Sequence, residues 1–146
     1  MIYYLDSSAL VKRYIAELGS VEIARFFAGG EHLAVSWLAL PETLAAMTRR
    51  AKGGGIGAEE LQRIKTQLAE DWRSLLVLAV SGEPVAGVEA LIARHALRGA
   101  DSIHLASALW LQRSLQTPVT FVAADLELLA AARDERLSIL NPADNG

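Results

Sequence analysis

Short apolar runs alternate along the chain with longer stretches whose apolar residues recur at helical spacing. Ile2-Tyr3-Tyr4-Leu5 is rich in strand formers, and Asp6-Ser7-Ser8 closes it with three good helix N-cap residues, so a first strand ends at Asp6. From Ala9 to Glu17 the residues Leu10, Val11, Tyr14 and Ile15 predict a helix, with Lys12 and Arg13 on its other face. After Gly19-Ser20 the pattern returns over Val21 to Ala28 and stops at Gly29-Gly30. Leu33-Ala34-Val35-Ser36 predicts a second strand. A third helix runs from about Leu38 to Lys52, with Pro41 tolerated in its first turn beside Glu42.

Gly53-Gly54-Gly55-Ile56-Gly57 reads as a hinge between helices, and it lacks the Gly-Lys-Ser/Thr ending of a phosphate loop. Ala58 to Trp72 is amphipathic, with Leu61, Ile64, Leu68 and Trp72 on one face. Leu75 to Val80 fits a helix extension or a buried strand, and its length favours the strand. Pro84 to Leu97 reads as helical. Val119-Thr120-Phe121-Val122 is the clearest strand, followed by Asp125 and a helix to about Asp134, and Leu137-Ser138-Ile139-Leu140 is the last strand.

The stretch from Leu97 to Leu109 organises the rest. It predicts a sharp turn at Gly99 and then a helix from Ala100 to Leu115, so apolar after its first residues that it must be buried. Asp101 at its start is therefore expected to face a shared polar site. Strands alternating with helical segments imply an α/β fold with a parallel sheet covered on both faces. In such folds the ligand crevice lies beyond the carboxyl ends of the strands, which is where Asp6 and Asp125 fall.

Composition narrows this picture. A chain of 146 residues suits one domain, here residues 1–146, large enough to bury about 68–70% of its unfolded surface. With no cysteine it has neither disulfides nor thiolate zinc sites. The first residues carry no basic signal-peptide start, and no apolar run reaches membrane-spanning length, so a cytoplasmic protein with no membrane partner is expected. A net charge of −3 argues against a general nucleic-acid coat. Setting aside Asp6, Glu42, Asp101 and Asp125 leaves 14 basic against 13 acidic residues, so the excess negative charge fits one cation-binding pocket.

Each of these acids alone has a structural explanation as a helix cap or dipole partner. Together they suggest something else, because unpaired carboxylates do not cluster without a cation, and an all-oxygen set selects Mg²⁺, with Mn²⁺ as a substitute. His104, one turn after Asp101, is read as a hydrogen-bonding helix residue. Arg98, just before the central helix, is the strongest candidate for a phosphate contact, with Lys12, Arg13, Arg49, Arg50 and Lys52 as further basic candidates. Ser7 and Ser8 are caps or orient Asp6.

The motifs carry a resemblance along nearly the whole chain. Leu5-Asp6-Ser7-Ser8-Ala9-Leu10-Val11-Lys12-Arg13-Tyr14, with Glu17 and Gly19-Ser20 after it, resembles the first motif of PIN-domain nucleases, specifically the VapC-type toxins of prokaryotic toxin–antitoxin pairs. Pro41-Glu42 matches the family's second acid, Arg98-Gly99-Ala100-Asp101-Ser102-Ile103-His104-Leu105-Ala106 its most specific motif, and Phe121-Val122-Ala123-Ala124-Asp125 its last. The family usually carries Ser or Thr where this chain has Ala123.

The resemblance implies a PIN-like three-layer α/β/α fold with five parallel strands, an Mg²⁺-dependent endoribonuclease site, a cognate antitoxin and a homodimer. Asp6 and Asp101 would bind the metal directly, Glu42 and Asp125 would hold its waters or a second ion, and Arg98, Lys12 and Ser7 would meet the RNA. A water activated at the metal would attack the phosphodiester in line. The competing expectations are a degenerate PIN domain that binds RNA or protein without cutting, and a phosphoacceptor receiver domain. The receiver reading lacks its paired acids after the first strand and its lysine after the last.

Overall fold

The computed structural model describes residues 1–145. Five parallel strands, β1 (Ile2–Leu5), β2 (His32–Ser36), β3 (Leu76–Leu78), β4 (Val119–Val122) and β5 (Ser138–Leu140), form one sheet in the order β3-β2-β1-β4-β5. Seven α-helices connect them among the described residues: α1 (Ser7–Leu10), α2 (Ser20–Ala28), α3 (Ala39–Lys52), α4 (Ala58–Trp72), α5 (Val88–His95), α6 (Gly99–Leu115) and α7 (Leu126–Asp134). β1 lies at the centre, with Tyr4 in register with Ala34 on β2 and Phe121 on β4.

Both faces of the sheet are covered, as its apolar strands require. Tyr4, Ala34, Leu78 and Phe121 point to one face and pack with Leu91 of α5, Leu105 and Leu111 of α6, and Leu128 of α7. Leu5, Leu33, Val35 and Val122 point to the other, against Leu10, Ile23, Met47, Ile64 and Leu68 from α1 to α4. The strand period of two thus divides β1 between two cores. It also places the chain's chemistry at the rim, because the strands end where the next helices begin.

Three local readings differ from expectation. The Ala9–Glu17 helix is instead α1 followed by a 3₁₀ turn, Val11–Arg13, and irregular chain. Lys12 is turned inward, only 7% exposed, where its Nζ donates to Glu17 Oε1 at 3.0 Å and to the Leu18 carbonyl at 2.7 Å, while Tyr14 donates to Asp71 Oδ2 at 2.7 Å. These contacts hold the segment in a path a regular helix would not follow. The Pro84–Leu97 helix begins with a 3₁₀ turn, Glu83–Val85, and becomes α-helical only at Val88. The left-handed residue before α6 is Ala96, at φ 52°, and Gly99 is already helical.

Candidate active site at the carboxyl edge of the sheet

Asp6 is fixed by its own chain. Its backbone N–H extends the ladder to the Val122 carbonyl at 3.1 Å, and its Oδ1 accepts from the Ala9 N–H at 2.9 Å and from Ser8 Oγ at 2.7 Å, capping α1. Ser8 Oγ also accepts from the Ala124 N–H at 3.1 Å, which ties Asp6 to the loop bearing Asp125. The Asp6 side chain is 4% exposed. Burial raises its carboxyl above the ordinary value and the nearby Asp101 charge adds to the rise, while His104 and the two donors oppose it.

Asp101 and Asp125 occupy a more open place. Asp125 caps α7, its Oδ1 accepting from the N–H groups of Glu127 and Leu128 at 2.9 and 3.1 Å. One guanidinium bridges the two acids: Arg98 Nε donates to Asp101 Oδ2 at 3.1 Å and Arg98 Nη2 to Asp125 Oδ2 at 3.3 Å. Arg98 is 79% exposed. The bridge lies in a crevice of about 510 Å³ whose walls include Leu97, Arg98, Asp101, Asp125 and Leu126.

Glu42 reaches the rim from α3, on the opposite layer to α6. Ser7 Oγ donates to its Oε1, and His104 Nε2 stands 2.8 Å from the same oxygen. The other imidazole nitrogen, Nδ1, is 2.9 Å from the Tyr4 hydroxyl. Burial pushes the Glu42 carboxyl up, yet the hydrogen bonds from His104 and Ser7, with the charge of Arg98, outweigh it and hold the group below the usual carboxylate range.

The four acids predicted from sequence therefore arrive in differently supported sets. Asp6 is buried, Glu42 is clamped by Ser7 and His104, and Asp101 and Asp125 share Arg98. Among the described residues no group of three or more His, Asp or Glu side chains forms a ready metal cage. The donor chemistry fits a more open arrangement: Asp6 Oδ2 and Asp101 Oδ1 each lack a hydrogen-bond donor among the described residues, and Mg²⁺ is commonly held by one or two carboxylates and waters. Two candidates for substrate contact are otherwise engaged. Lys12 is buried in its contacts with Glu17 and Leu18, and the Ser7 proton is donated to Glu42, leaving none for a phosphate oxygen. Tyr4 went unremarked in the sequence because it reads as one more strand-forming aromatic. Its position two residues before Asp6, on the same side of the strand, is the one local signal.

A five-stranded parallel sheet in this order, helices on both faces and acids beyond its carboxyl edge define the PIN-domain class. The solved structure of PAE2754 from Pyrobaculum aerophilum has the same fold, with a TM-score of 0.67 and 21% identity over 99% of this chain and 91% of that one. A toxin–antitoxin complex from Klebsiella pneumoniae contains a chain matching at a TM-score of 0.62 and 15% identity, over 96% of this chain and 97% of that one. No family model matches the sequence. Over 108 residues the chain is 32% identical to Ribonuclease VapC45 of Mycobacterium tuberculosis (strain CDC 1551 / Oshkosh), covering 74% of this chain and 75% of that protein. The chain belongs to the VapC family.

Proposed function

We propose that the protein is an Mg²⁺-dependent endoribonuclease, with Mn²⁺ as a substitute ion, acting as the toxin of a toxin–antitoxin pair in the cytoplasm. The observation that carries this reading is the pair Asp6 and Asp101, each with one carboxylate oxygen left without a protein donor, with Asp101 in the wall of the crevice that also holds Asp125. Its membership of a family with a ribonuclease relative supports the substrate class.

Asp6 and Asp101 would hold the ion, which when bound neutralises charge on phosphate oxygens and lowers the pKa of water. Glu42, kept ionised and clamped through Oε1, has Oε2 left to accept a hydrogen bond from the attacking water. Asp125, anchored by two backbone N–H groups, orients water on the other side. Arg98 exchanges its carboxylate partners for a backbone phosphate, a geometry its planar fork suits. Hydrolysis by this route does not require the RNA 2′-hydroxyl.

The antitoxin would lay an apolar helix on the toxin and bring a basic side chain to these acids. The related fold in a toxin–antitoxin complex supports such a partner. A homodimer accords with exposed apolar side chains such as Trp37 and Leu76, which are 51% and 48% exposed, and light scattering at micromolar concentration tests it. One observation favours the alternative of a non-cutting RNA- or protein-binding module: Arg98 already balances Asp101 and Asp125. Incubation of purified protein with RNA separates the readings. Internal cleavage that requires Mg²⁺ and stops in EDTA is expected, and binding without cleavage at any Mg²⁺ concentration would overturn the nuclease proposal.

A further inference from the structure

We propose that Tyr4 and His104 are positioning residues for Glu42, a buried chain that selects one imidazole tautomer and thereby fixes which carboxylate oxygen faces the substrate. The function of the chain rests on the nuclease reading above; its geometry does not. Glu42 stands on a helix of one layer, is a third exposed, and has a flexible side chain that would otherwise sample several rotamers. Both donors that reach it, Ser7 Oγ and His104 Nε2, converge on Oε1, so Oε2 is the oxygen left for water or substrate.

The chemistry runs backwards from that contact. A carboxylate only accepts, so His104 Nε2 carries the hydrogen. In the neutral ring Nδ1 is then an acceptor, and the Tyr4 O–H donates to it at 2.9 Å. Neither residue is needed merely to fill space. Tyr4 is fully buried, stacked on Phe121 with ring centroids 5.5 Å apart, and His104 is 2% exposed, so Phe and Leu would fill the same core without polar atoms to satisfy. Placement adds to the case. Tyr4 on β1 lies two residues before Asp6, which follows that strand, and His104 one turn after Asp101 on α6, so the support for Glu42 sits beside the two candidate metal ligands in the chain.

The test has two arms. In metal-free protein, ¹⁵N NMR of the imidazole should show His104 protonated at Nε2 alone, and Tyr4→Phe, which leaves Nδ1 without its donor, should shift the Nδ1 resonance while Nε2 stays protonated. A wild-type ring protonated at Nδ1 alone, or a Tyr4→Phe ring unchanged from wild type, overturns the proposal whether or not the protein cuts RNA. The second arm is a kinetic double-mutant cycle. His104→Leu should lower kcat by about tenfold or more with KM unchanged, the scale of a lost outer support at a metal site, and His104→Gln should restore most of it. Added to Glu42→Gln, His104→Leu should have no further effect, since it acts through a carboxylate already gone. Additive losses would mean that His104 serves the fold alone and would overturn its assigned role. A wild type that cuts no RNA in Mg²⁺ defeats the nuclease reading and with it the kinetic role, while the tautomer arm still decides the geometry.

Discussion

Asp6 and Glu42, compared with Asp101 and Asp125, are restrained by a different kind of partner. The first two are held by groups fixed in place: backbone N–H of Ala9, Ser7, Ser8 and a 2%-exposed His104 backed by Tyr4. Asp101 and Asp125 share one long side chain that is 79% exposed. An exposed ion pair contributes little and is screened by salt, whereas buried hydrogen bonds are costly to leave unmade. Half of the site is thus preorganised and half is exchangeable. The exchangeable half is the one an arriving phosphate or cation can rearrange at small cost.

Substitutions can break this contrast, and the largest effect is expected beneath the preorganised half. Phe121→Ala removes the ring on which Tyr4 stacks and should cost about 3–5 kcal/mol, read as a lowered urea midpoint. A loss under about 1 kcal/mol would mean that the core under Tyr4 is loosely packed. Lys12→Met should cost about 1–3 kcal/mol, because it leaves the Leu18 carbonyl and Glu17 without their donor, yet should leave the salt dependence of RNA binding unchanged. A flattened salt slope would return Lys12 to the substrate surface.

The two restrained acids should also differ in sign with pH. Asp6, raised by burial, keeps its proton in the folded state where the unfolded chain has lost it. Its contribution is present below its unfolded value, near 3.8, and is lost as pH rises through the folded one. Glu42 is lowered, so its contribution is present above its unfolded value, near 4.5, and is lost as pH falls through the folded one. In EDTA, Asp6→Asn should therefore melt above wild type by a margin that widens with rising pH, whereas the deficit of Glu42→Gln should narrow as pH falls. Parallel trends for the two variants would erase the distinction between them. The smallest effect on folding belongs to Arg98→Ala. It should change stability by less than about 0.5 kcal/mol and flatten the salt dependence of RNA binding by about one unit of slope. An unchanged slope would leave Arg98 as a counter-ion only.

How far the sequence revealed this arrangement depended on distance along the chain. Strand and helix periods located all five strands, and the boundaries of α4 were read as Ala58 and Trp72, because local patterning dominates there. Leu75–Val80 was resolved as a strand by length alone. The first helix was overread because Lys12 and Tyr14 are set by partners outside the local pattern, Tyr14 by Asp71, 57 residues away. The same limit applied to the site. Asp6 and Asp125 were visible as acids closing strands, and Asp101 as a charge opening an apolar helix. The Tyr4–His104 contact spans 100 residues and the His104–Glu42 contact 62, so no motif spacing could disclose them. Arg98 was singled out for its place before α6, but its bridge to Asp125 spans 27 residues and joins the starts of α6 and α7, which no local pattern discloses.

Asp6 and Asp101 are proposed to act together as one cation site. Thermal melts of wild type and Asp101→Asn, each in EDTA and in Mg²⁺, test it most directly. With Mg²⁺ a hundredfold above Kd, the wild type should gain about 2.7 kcal/mol, following RT ln(1 + [L]/Kd), and Asp101→Asn far less. Equal Mg²⁺ shifts for the two proteins, or none for the wild type at millimolar Mg²⁺, would mean that these carboxylates do not share a metal ion.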